Sequence, residues 1–368
     1  MKKRKIDKFF LTVVLILLSL GMAMFVSASL GVFVKDAKVF YSVLFGQIAL
    51  GLGLGLLGMY FSLRIDYMFW RKYALPLFIG GVVLTSLVYI PGLGRSHGGA
   101  LRWIDLGPVS FQPVELMKFG FIIYFAAWLS WVKTKVKDFK FGILPFGIIL
   151  AVVALILLNQ PDTKSFILIT ITGLVMLFIS GVPYKHIFGV GFISILLLGS
   201  LVLFTPYLKE RIKTFIDPSQ DAKGSSYQIQ QSLIAIGSGS VFGRGYGQSI
   251  QKVTYLPEPQ GDSIFAVLGE ELGFVGTLIT VLLYVAFALR GLRIAKNSPD
   301  LFSRLLVSGI VILITAQSFM NIASIIGVFP LTGVPLPFMS HGGTSLMIYL
   351  VALGIVLQIS KFAKVNNS

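Results

Sequence analysis

The sequence predicts an all-α, polytopic integral membrane protein with about ten transmembrane helices. Of its 368 residues, 55% are hydrophobic and only 12% are charged, and the mean hydropathy is +0.86. A soluble domain carries about 25% charged residues, so this chain is suited to lipid rather than to water. The spacing of its apolar runs and the distribution of its Lys and Arg residues predict the same class.

The apolar runs have the length that membrane crossing requires. A helix needs about 20 apolar residues to span a bilayer, and runs of that order follow one another along the chain. They cover about 9–30, 41–63, 73–91, 113–132, 142–159, 164–182, 186–206, 263–289, 304–328 and 342–360. The first run is longer than the roughly 7–15 apolar residues of a signal peptide, so we expect it to remain as an uncleaved span.

The Lys and Arg residues predict the orientation. With the N-terminus in the cytoplasm, 19 of the 31 Lys and Arg residues lie in cytoplasmic segments and 12 lie outside. Cytoplasmic loops of membrane proteins carry such an excess, which predicts that the N- and C-termini are both cytoplasmic. The net charge of +16 then suits anionic lipid headgroups and gives no reason to expect a nucleic-acid partner.

One long connection, about 207–262, joins the seventh and eighth spans on the predicted extracytoplasmic side. Its stretch "SSYQIQQSLIAIGSG" spaces Ile229, Leu233 and Ile236 along one face of a helix. This pattern predicts an amphipathic helix in the membrane interface. The sequence contains no repeat and no separate soluble domain, so we expect a single membrane domain over residues 1–368.

Several familiar chemistries find no support in the sequence. Cys is absent, which removes disulfides, thiol catalysis and Cys-ligated zinc. The stretch "GLGLLG" matches a dinucleotide-binding pattern, but it lies within an apolar span that follows no strand. Gly51 and Gly55 instead predict the close approach of another helix. The chain has no D-x-D pair, so a metal is not demanded. We also expect no cofactor.

Three carboxylates interrupt the apolar stretch "YLPEPQGDSIFAVLGEELGFVG" at the start of the eighth span. Asp262 precedes the first turn, and Glu270 and Glu271 lie about two turns in. Asp is a favoured helix N-cap, which is the structural alternative for Asp262. Ionised groups entering a membrane need a partner or water and commonly mark a site, so we predict a functional site at Asp262. Glu270 and Glu271 belong to that site or pair with loop cations.

A second charged feature stands at the start of the fourth span. Glu115 and Lys118 are three residues apart in "RWIDLGPVSFQPVELMK", which is close enough to pair on a helix. The structural alternative is a self-neutralising pair, but the cost of placing charge near the membrane favours a functional one. Asp162, in the turn "NQPDTKS", is equally explained as a cap of the sixth span.

The predicted outer side also collects cations and one loop without charge. The cations are Arg95, Arg102, Lys118, Arg211, Lys213, Arg244 and Lys252. Of these we predict Arg102, Lys118, Arg244 and Lys252 to bind substrate, although Arg102 also suits a lipid headgroup. The loop "PLTGVPLPFMSHGGTSL" has irregular backbone that must be buried or line a wet cavity, so Ser340 and His341 either contact a ligand or satisfy that backbone.

A carboxylate among several cations suits an anionic substrate. Arg and Lys side chains bind pyrophosphate oxygens strongly, and the membrane setting indicates that such a pyrophosphate carries a lipid. The site would lie on the predicted outer side of the cytoplasmic membrane. A carboxylate there can act as a base while the cations stabilise a leaving anion.

The chain resembles the SEDS family, the polytopic glycosyltransferases that polymerise peptidoglycan and are typified by FtsW and RodA. Five ordered motifs carry this resemblance over nearly the whole chain, and they are "RWIDLGPVSFQPVELMK", "QPD", "YQIQQSLIAIGSGSVFGRGYGQS", "YLPEPQGDSIFAVLGEELGFVG" and "PLPFMSHGGTSL". The chain departs from the family pattern at Val114, Lys164, Ser263 and His341. Because "GQSIQKVTYLPE" is closer to FtsW and "TGVPLPF" is closer to RodA, we weighed both types and favour the FtsW type.

The resemblance implies a specific reaction. The substrate would be lipid II, and the 4-hydroxyl of one GlcNAc would attack the MurNAc anomeric carbon of another unit with inversion and loss of the lipid pyrophosphate. Asp262 corresponds to the family's proposed general base, and Glu115 and Lys118 correspond to its charged pair. The implied partners are a class B penicillin-binding protein and other division or elongation machinery.

A transporter is the competing class, specifically a flippase for lipid II. Ten spans with irregular outer loops also suit a transporter. Such a protein should line a central cavity with charge at mid-membrane, whereas here the charge gathers on the predicted outer side. The sequence therefore favours the glycosyltransferase. A scaffold that only recruits partners would leave the carboxylates unexplained.

Overall fold

The chain folds into a set of packed α-helices, described by a computed structural model over residues 5–97, 100–105, 110–217 and 225–362. The α-helices, in chain order, are α1 (Lys8–Lys35), α2 (Ala37–Phe45), α3 (Gly55–Arg64), α4 (Tyr67–Lys72), α5 (Ala74–Ser86), α6 (Pro113–Val132), α7 (Ile143–Asn159), α8 (Thr163–Ser180), α9 (Tyr184–Phe204), α10 (Pro206–Ile216), α11 (Ser225–Ser238), α12 (Gln251–Thr254), α13 (Ile264–Lys296), α14 (Leu301–Ile325) and α15 (Gly343–Ser360).

Within the described residues, eight helical segments are long and apolar enough to cross a membrane. These are Lys8–Val34, Ala37–Arg64, Pro113–Lys137, Thr163–Ser180, Tyr184–Phe204, Ile264–Lys296, Leu301–Ile325 and Gly343–Ser360. Two shorter apolar helices, Ala74–Tyr89 and Ile143–Asn159, stand at the remaining two predicted positions. The predicted all-α membrane class is therefore confirmed, and each predicted span corresponds to an apolar helix.

The second span is not a uniform α-helix. A π-helical segment, Gly46–Leu54, joins α2 to α3 and buries Gln47 and Gly51. A Cβ on Gly51 would lie 3.1 Å from the Gly343 Cα, and one on Gly55 would lie 2.6 Å from the Leu350 side chain. The two glycines therefore admit α15 at close range, as their spacing predicted.

The core lies around α14, α15 and α6, whose side chains are mostly buried. Aromatic rings fill the space between α6 and α7, where Phe125 stacks on Phe121 and Phe146 at centroid distances of 5.5 and 5.1 Å. Such offset pairs add to the stabilisation from burial alone. These packed helices fix the positions of the buried polar side chains that they carry, including Glu115 and Lys118 of α6.

A small antiparallel sheet was not predicted. Its strands are β1 (Gly94–His97), β2 (Ala100–Asp105) and β3 (Ser110–Phe111), in the order β1-β2-β3. Each strand is short and shows no sustained alternation of apolar and polar residues, so the sequence resembled an irregular loop. The sheet precedes α6 directly and leads the chain to Glu115 and Lys118.

The long connection before α13 is largely helical and packs on that helix. In α11, Ile229 is buried, Ile236 packs against Gly269, and Leu233 is exposed. Two residues of the predicted apolar face are therefore covered by the protein, and Leu233 remains on its surface. Residues 218–224 of this connection lie outside the described residues.

A glycine-rich segment follows α11 and joins α13 backbone to backbone. Gly273 has φ 67° and ψ −165°, which interrupts the helical conformation of α13. The interruption leaves backbone groups of α13 without partners in the helix, and the glycine-rich segment bonds to them. Phe274 N donates to Ser240 O at 2.9 Å, and Glu270 O accepts from Arg244 N at 2.9 Å. Residues 239–249 are thus fixed to α13 rather than free.

Candidate functional site

Asp262 lies just before α13 but does not cap it. The N-cap position is Ser263, and the Asp262 carboxylate instead accepts a hydrogen bond from another element. Gln228 of α11 donates through Nε2 to Asp262 Oδ1 and to Ser263 Oγ, both at 2.9 Å. The side chain of Asp262 is partly exposed, so it remains accessible to a ligand.

Three charged side chains converge beside Gly333, in the loop that precedes α15. A Cβ placed on Gly333 would lie 3.5 Å from Asp262 Oδ2, 3.7 Å from Arg211 Nη2 and 4.0 Å from Lys164 Nζ. Gly333 has φ +64°, a conformation that favours glycine. The absence of a side chain at this position leaves room for the carboxylate and both cations to face the same small region.

Backbone carbonyls hold the cations of this cluster in place. Lys164 donates to Gly333 O, and Arg211 Nη1 donates to Leu331 O at 2.6 Å. Arg102 donates through Nε to Gln160 O at 3.2 Å and through Nη2 to Pro161 O. Since a neutral carbonyl does not cancel the charge of a cation, these side chains keep a net attraction for an anion.

An open cavity of about 330 Å³ connects the cations to an apolar wall. Arg102, Lys164 and Arg211 lie along it with the loop residues Pro330, Leu331 and Thr332. Apolar side chains of α8, α9 and α10 form the rest of the wall, including Ile167, Ile195, Leu198, Val202, Leu208 and Ile212. A cavity with a cationic part and an apolar part is suited to an amphipathic anion.

The surroundings of Asp262 raise the pKa of its carboxyl, and burial is the main cause. Burial raises the pKa of the Asp262 carboxyl above its ordinary value, and Glu258 raises it further. The cations Lys164 and Arg211 and the hydrogen bond from Gln228 lower that pKa. A carboxylate whose pKa is raised is a stronger base than an ordinary aspartate.

Glu115 and Lys118 form the predicted pair, and the pair is buried. Lys118 Nζ lies 2.8 Å from Glu115 Oε1, and the two side chains are 2% and 4% exposed. Lys118 also donates to Gln317 Oε1 of α14 at 3.2 Å. The pair therefore contacts another helix, and neither residue lies along the cavity that the three cations border.

Glu270 and Glu271 hold the glycine-rich segment, which is the structural alternative considered for them. Glu271 Oε1 lies 2.6 Å from Lys252 Nζ, and both side chains are buried. Glu270 accepts from Ser249 Oγ at 2.5 Å and lies 3.6 Å from Arg244 Nε. The predicted substrate-binding residues Lys252 and Arg244 thus have carboxylate partners within this anchor.

The predicted residues Ser340 and His341 are anchored in the loop before α15. Ser340 Oγ accepts from Leu336 N at 2.7 Å, so its hydroxyl satisfies backbone. His341 N donates to Gln260 O at 2.7 Å, and its ring stacks on Phe25 at a centroid distance of 6.1 Å. These contacts join the loop to the Asp262 segment and to α1.

Sequence reasoning missed three residues of the site around Asp262. Gln228 lies in a quoted motif, Lys164 in the turn "NQPDTKS" and Arg211 among the outer cations, but nothing in the sequence placed any of them beside Asp262. Lys164 alone carried a signal of a special role, because it departs from the usual sequence pattern of the SEDS family. Asp162, by contrast, is fully buried and occupies the N-cap position of α8 without a side-chain capping bond to that helix.

Comparisons with known proteins agree over almost the whole chain. The family model FTSW_RODA_SPOVE, described as cell cycle protein, matches residues 7–365. Stage V sporulation protein E of Bacillus subtilis is 39% identical over 99% of this chain and 99% of its own length. A probable peptidoglycan glycosyltransferase FtsW of Geobacter sulfurreducens is 41% identical over 84% of this chain and 82% of its own length.

Solved structures show the same fold. A chain from a structure reported as "Structural coordination of polymerization and crosslinking by a peptidoglycan synthase complex" superposes with a TM-score of 0.78 at 29% identity, covering 96% of this chain and 97% of that one. The rod shape determining protein RodA of Thermus thermophilus gives a TM-score of 0.68 at 26% identity, covering 98% of both chains.

Proposed function

The chain belongs to the FtsW, RodA and SpoVE family of cell cycle proteins and is a peptidoglycan glycosyltransferase of that family, and from this premise we propose that it polymerises lipid II beside Asp262. The multi-pass membrane fold and the FtsW-like sequence support this reading. The observation that carries the proposal is the convergence of Asp262, Lys164 and Arg211 beside Gly333.

In the proposed reaction, Asp262 takes the proton of the acceptor hydroxyl. The 4-oxygen of the acceptor GlcNAc then bonds to the anomeric carbon of the donor MurNAc, and the bond from that carbon to the lipid pyrophosphate breaks with inversion. Support comes from the partly exposed carboxylate held by Gln228. A base of this kind contributes about 10²–10⁴ in rate.

The cavity beside Asp262 would hold the leaving group. Arg102, Lys164 and Arg211 would bind the pyrophosphate and stabilise the charge that develops as it leaves. The apolar wall formed by α8, α9 and α10 suits the first isoprene units of the attached lipid. Two carboxylates, Asp262 and Asp162, act on Lys164, so the three cations along the cavity remain in excess.

The setting of the reaction follows from the same premise. We place the protein in the cytoplasmic membrane with Asp262 on the extracytoplasmic side, where the wall is built. The similar chain from a peptidoglycan synthase complex supports a transpeptidase partner, which we take to be a class B penicillin-binding protein. Division or elongation machinery would recruit the pair, and the FtsW-like relatives favour the division type.

Polymerisation of purified lipid II tests the proposal. The protein and its cognate transpeptidase, with a β-lactam present to block crosslinking, should convert lipid II into glycan chains. Asp262→Asn keeps the shape of the side chain but removes the proton acceptor, so the rate should fall by about 10²–10⁴ while lipid II still binds. Transfer of lipid II between leaflets without any polymer would replace this function with that of a flippase. Polymerisation by Asp262→Asn near the wild-type rate would remove Asp262 as the base.

A further inference from the structure

Two side-chain amides of α14 join three parts of the molecule that the reaction needs. Gln317 and Asn321 are four residues apart and therefore lie on one face of the helix. Both are buried, with exposures of 1% and 0%. Both donate to backbone carbonyls of the loop between α14 and α15, and one of them also reaches Asp262.

Asn321 connects the segment that carries Asp262 to this loop. Its Nδ2 donates to Asp262 O at 2.8 Å and to Val334 O at 2.7 Å. Asn supplies two N–H donors from one nitrogen, whereas Asp supplies none when ionised and Leu supplies none at all. Both carbonyls would lose a hydrogen bond without this amide, so the amide sets the distance between Asp262 and Val334.

Gln317 connects the same loop to the buried ion pair. Its Oε1 accepts from Lys118 Nζ at 3.2 Å and from Tyr349 OH at 2.7 Å, and its Nε2 donates to Pro335 O at 3.0 Å. Lys118 has only donors, so it requires the oxygen of the amide on its side. The nitrogen must then point to Pro335, and Lys118 thereby fixes which end of Gln317 meets the loop.

The loop held in this way also forms the reaction site. Pro330, Leu331 and Thr332 line the cavity, and Gly333 O receives Lys164. Val334 and Pro335 follow at once and are the residues that Asn321 and Gln317 hold. A displacement at these two carbonyls would therefore move the cavity wall and Lys164 relative to Asp262.

We propose that Asn321 and Gln317 are positioning residues that fix Asp262 against the cavity wall, and that the Glu115–Lys118 pair serves the reaction through Gln317 rather than by touching substrate. This inference rests on the proposed function of Asp262. It assigns to the ion pair a role that its burial and its contacts explain, and it replaces the substrate-binding role expected from the sequence.

The test measures lipid II polymerisation by the protein–transpeptidase complex with Asn321→Leu and Gln317→Met, which keep approximate volume but remove the donors. Misplacing reacting groups by about 1 Å costs on the order of 10²-fold in rate, so we expect kcat to fall by that order. KM for lipid II should stay within about threefold, because neither change removes a contact that binds the substrate equally in the ground state and the transition state. Ser324→Ala is the matched control, since its hydroxyl donates within α14 to Asn321 O, and it should keep the wild-type rate.

Double variants separate positioning from a general loss of structure. Asn321→Leu combined with Asp262→Asn should be little slower than Asp262→Asn alone, and Lys118→Met should cost less in the Gln317→Met protein than in the wild type. Thermal unfolding in detergent reports whether each variant folds. If Asn321→Leu does not fold, Asn321→Ser, which retains one donor, takes its place with a smaller expected loss of kcat.

Two results would overturn the inference. One is a folded Asn321 variant that polymerises within about threefold of the wild type, and the other is a variant whose entire loss is a raised KM. Failure of the proposed function is a different result, because it is shown by an Asp262→Asn protein that still polymerises. An inactive Asp262→Asn protein beside a fully active Asn321→Leu protein would contradict the positioning role alone.

Discussion

Nε2 of Gln228 lies 2.9 Å from Oδ1 of Asp262, so a helix of the long connection contacts the proposed base directly. The connection is therefore part of the proposed reaction site and not only a link between spans. Its last helix before the glycine-rich segment, α11, carries the donor, and its final residues carry the acceptor.

Replacing Gln228 by Leu should slow polymerisation without preventing folding. A hydrogen bond to a charged group is worth about 1.5–3 kcal/mol, and its loss leaves the carboxylate less well oriented, so we expect a fall in kcat of about tenfold or more. The measurement is the initial rate of glycan formation at saturating lipid II. Gln230→Leu, on the exposed side of the same helix, is the control, and an equal loss in both variants would contradict a specific role for Gln228.

The pH dependence of the rate should report Asp262. A general base acts when deprotonated, so the rate should fall on the acid side as pH drops through its pKa. Burial raises the pKa of Asp262 and Lys164 lowers it, so the acid limb should stand above the ordinary aspartate range and Lys164→Met should move it to still higher pH. Rates measured across pH with both proteins test this, and an unchanged limb in Lys164→Met would show that Lys164 does not act on the base.

Arg211→Met should weaken the binding of a lipid pyrophosphate. The guanidinium lies along the cavity and is held by Leu331 O, where it can meet an anion with a charge-assisted hydrogen bond. We expect the Kd for undecaprenyl pyrophosphate in detergent to rise by about tenfold, as for the loss of one such bond. Lys209→Met changes an exposed cation of the same helix and should leave the Kd unchanged. Equal effects of the two changes would indicate only a general attraction of positive charge.

The Lys252–Glu271 pair should matter for stability. Removing one partner of a buried ion pair costs about 3–5 kcal/mol, because the remaining charge is left alone. Lys252→Met should therefore lower the Tm in detergent markedly, and adding Glu271→Gln should restore part of the loss. Arg244→Met removes a cation that is 39% exposed. Glu270 keeps its hydrogen bonds from Ser249, Ile250 and Gln251 without it, so the Tm should fall less than with Lys252→Met. A Tm unchanged by Lys252→Met would contradict the anchoring role.

Labelling of single Cys residues should report the orientation. The excess of Lys and Arg in one set of connections predicts a cytoplasmic N-terminus. An impermeant thiol reagent added outside spheroplasts should label Lys209→Cys but not Lys135→Cys or Asn297→Cys. Permeabilised cells provide the control in which all three react. Labelling of Lys135→Cys and Lys209→Cys from the same side would refute the predicted topology.

The sequence was sufficient for the membrane class because that information is local. Each span needs only a run of apolar residues, and such runs are read directly from the chain. The ion pair of Glu115 and Lys118 was also predictable, because both residues lie on adjacent turns of one helix. The close approach at Gly51 and Gly55 was predictable for the same reason.

The partners of Asp262 could not be predicted in this way. Gln228, Lys164 and Asn321 come from three different helices. Only tertiary packing brings Gln228 and Lys164 to the carboxylate of Asp262 and Asn321 to its backbone carbonyl. The partners of Lys252 were equally hidden from the sequence. The sequence shows it only as one of several loop cations and as a predicted substrate ligand, whereas packing also gives it Glu271, Ser27 and Gly247 as partners. The sequence shows which charged residues are present. Only the distances between side chains in the fold show which of them already have a partner.

The contact between the glycine-rich segment and α13 has a consequence for building hybrid proteins. A side chain on Gly239, Gly243 or Gly273 would collide with backbone atoms of the opposing segment, so neither side can change its spacing alone. A chimera could take the long connection from one relative and α13 from another. At these glycines backbone meets backbone, so no side chain could change its rotamer to accommodate a shift between the two segments. The exchangeable module therefore runs from α11 through residue 276, and recombination points belong outside it.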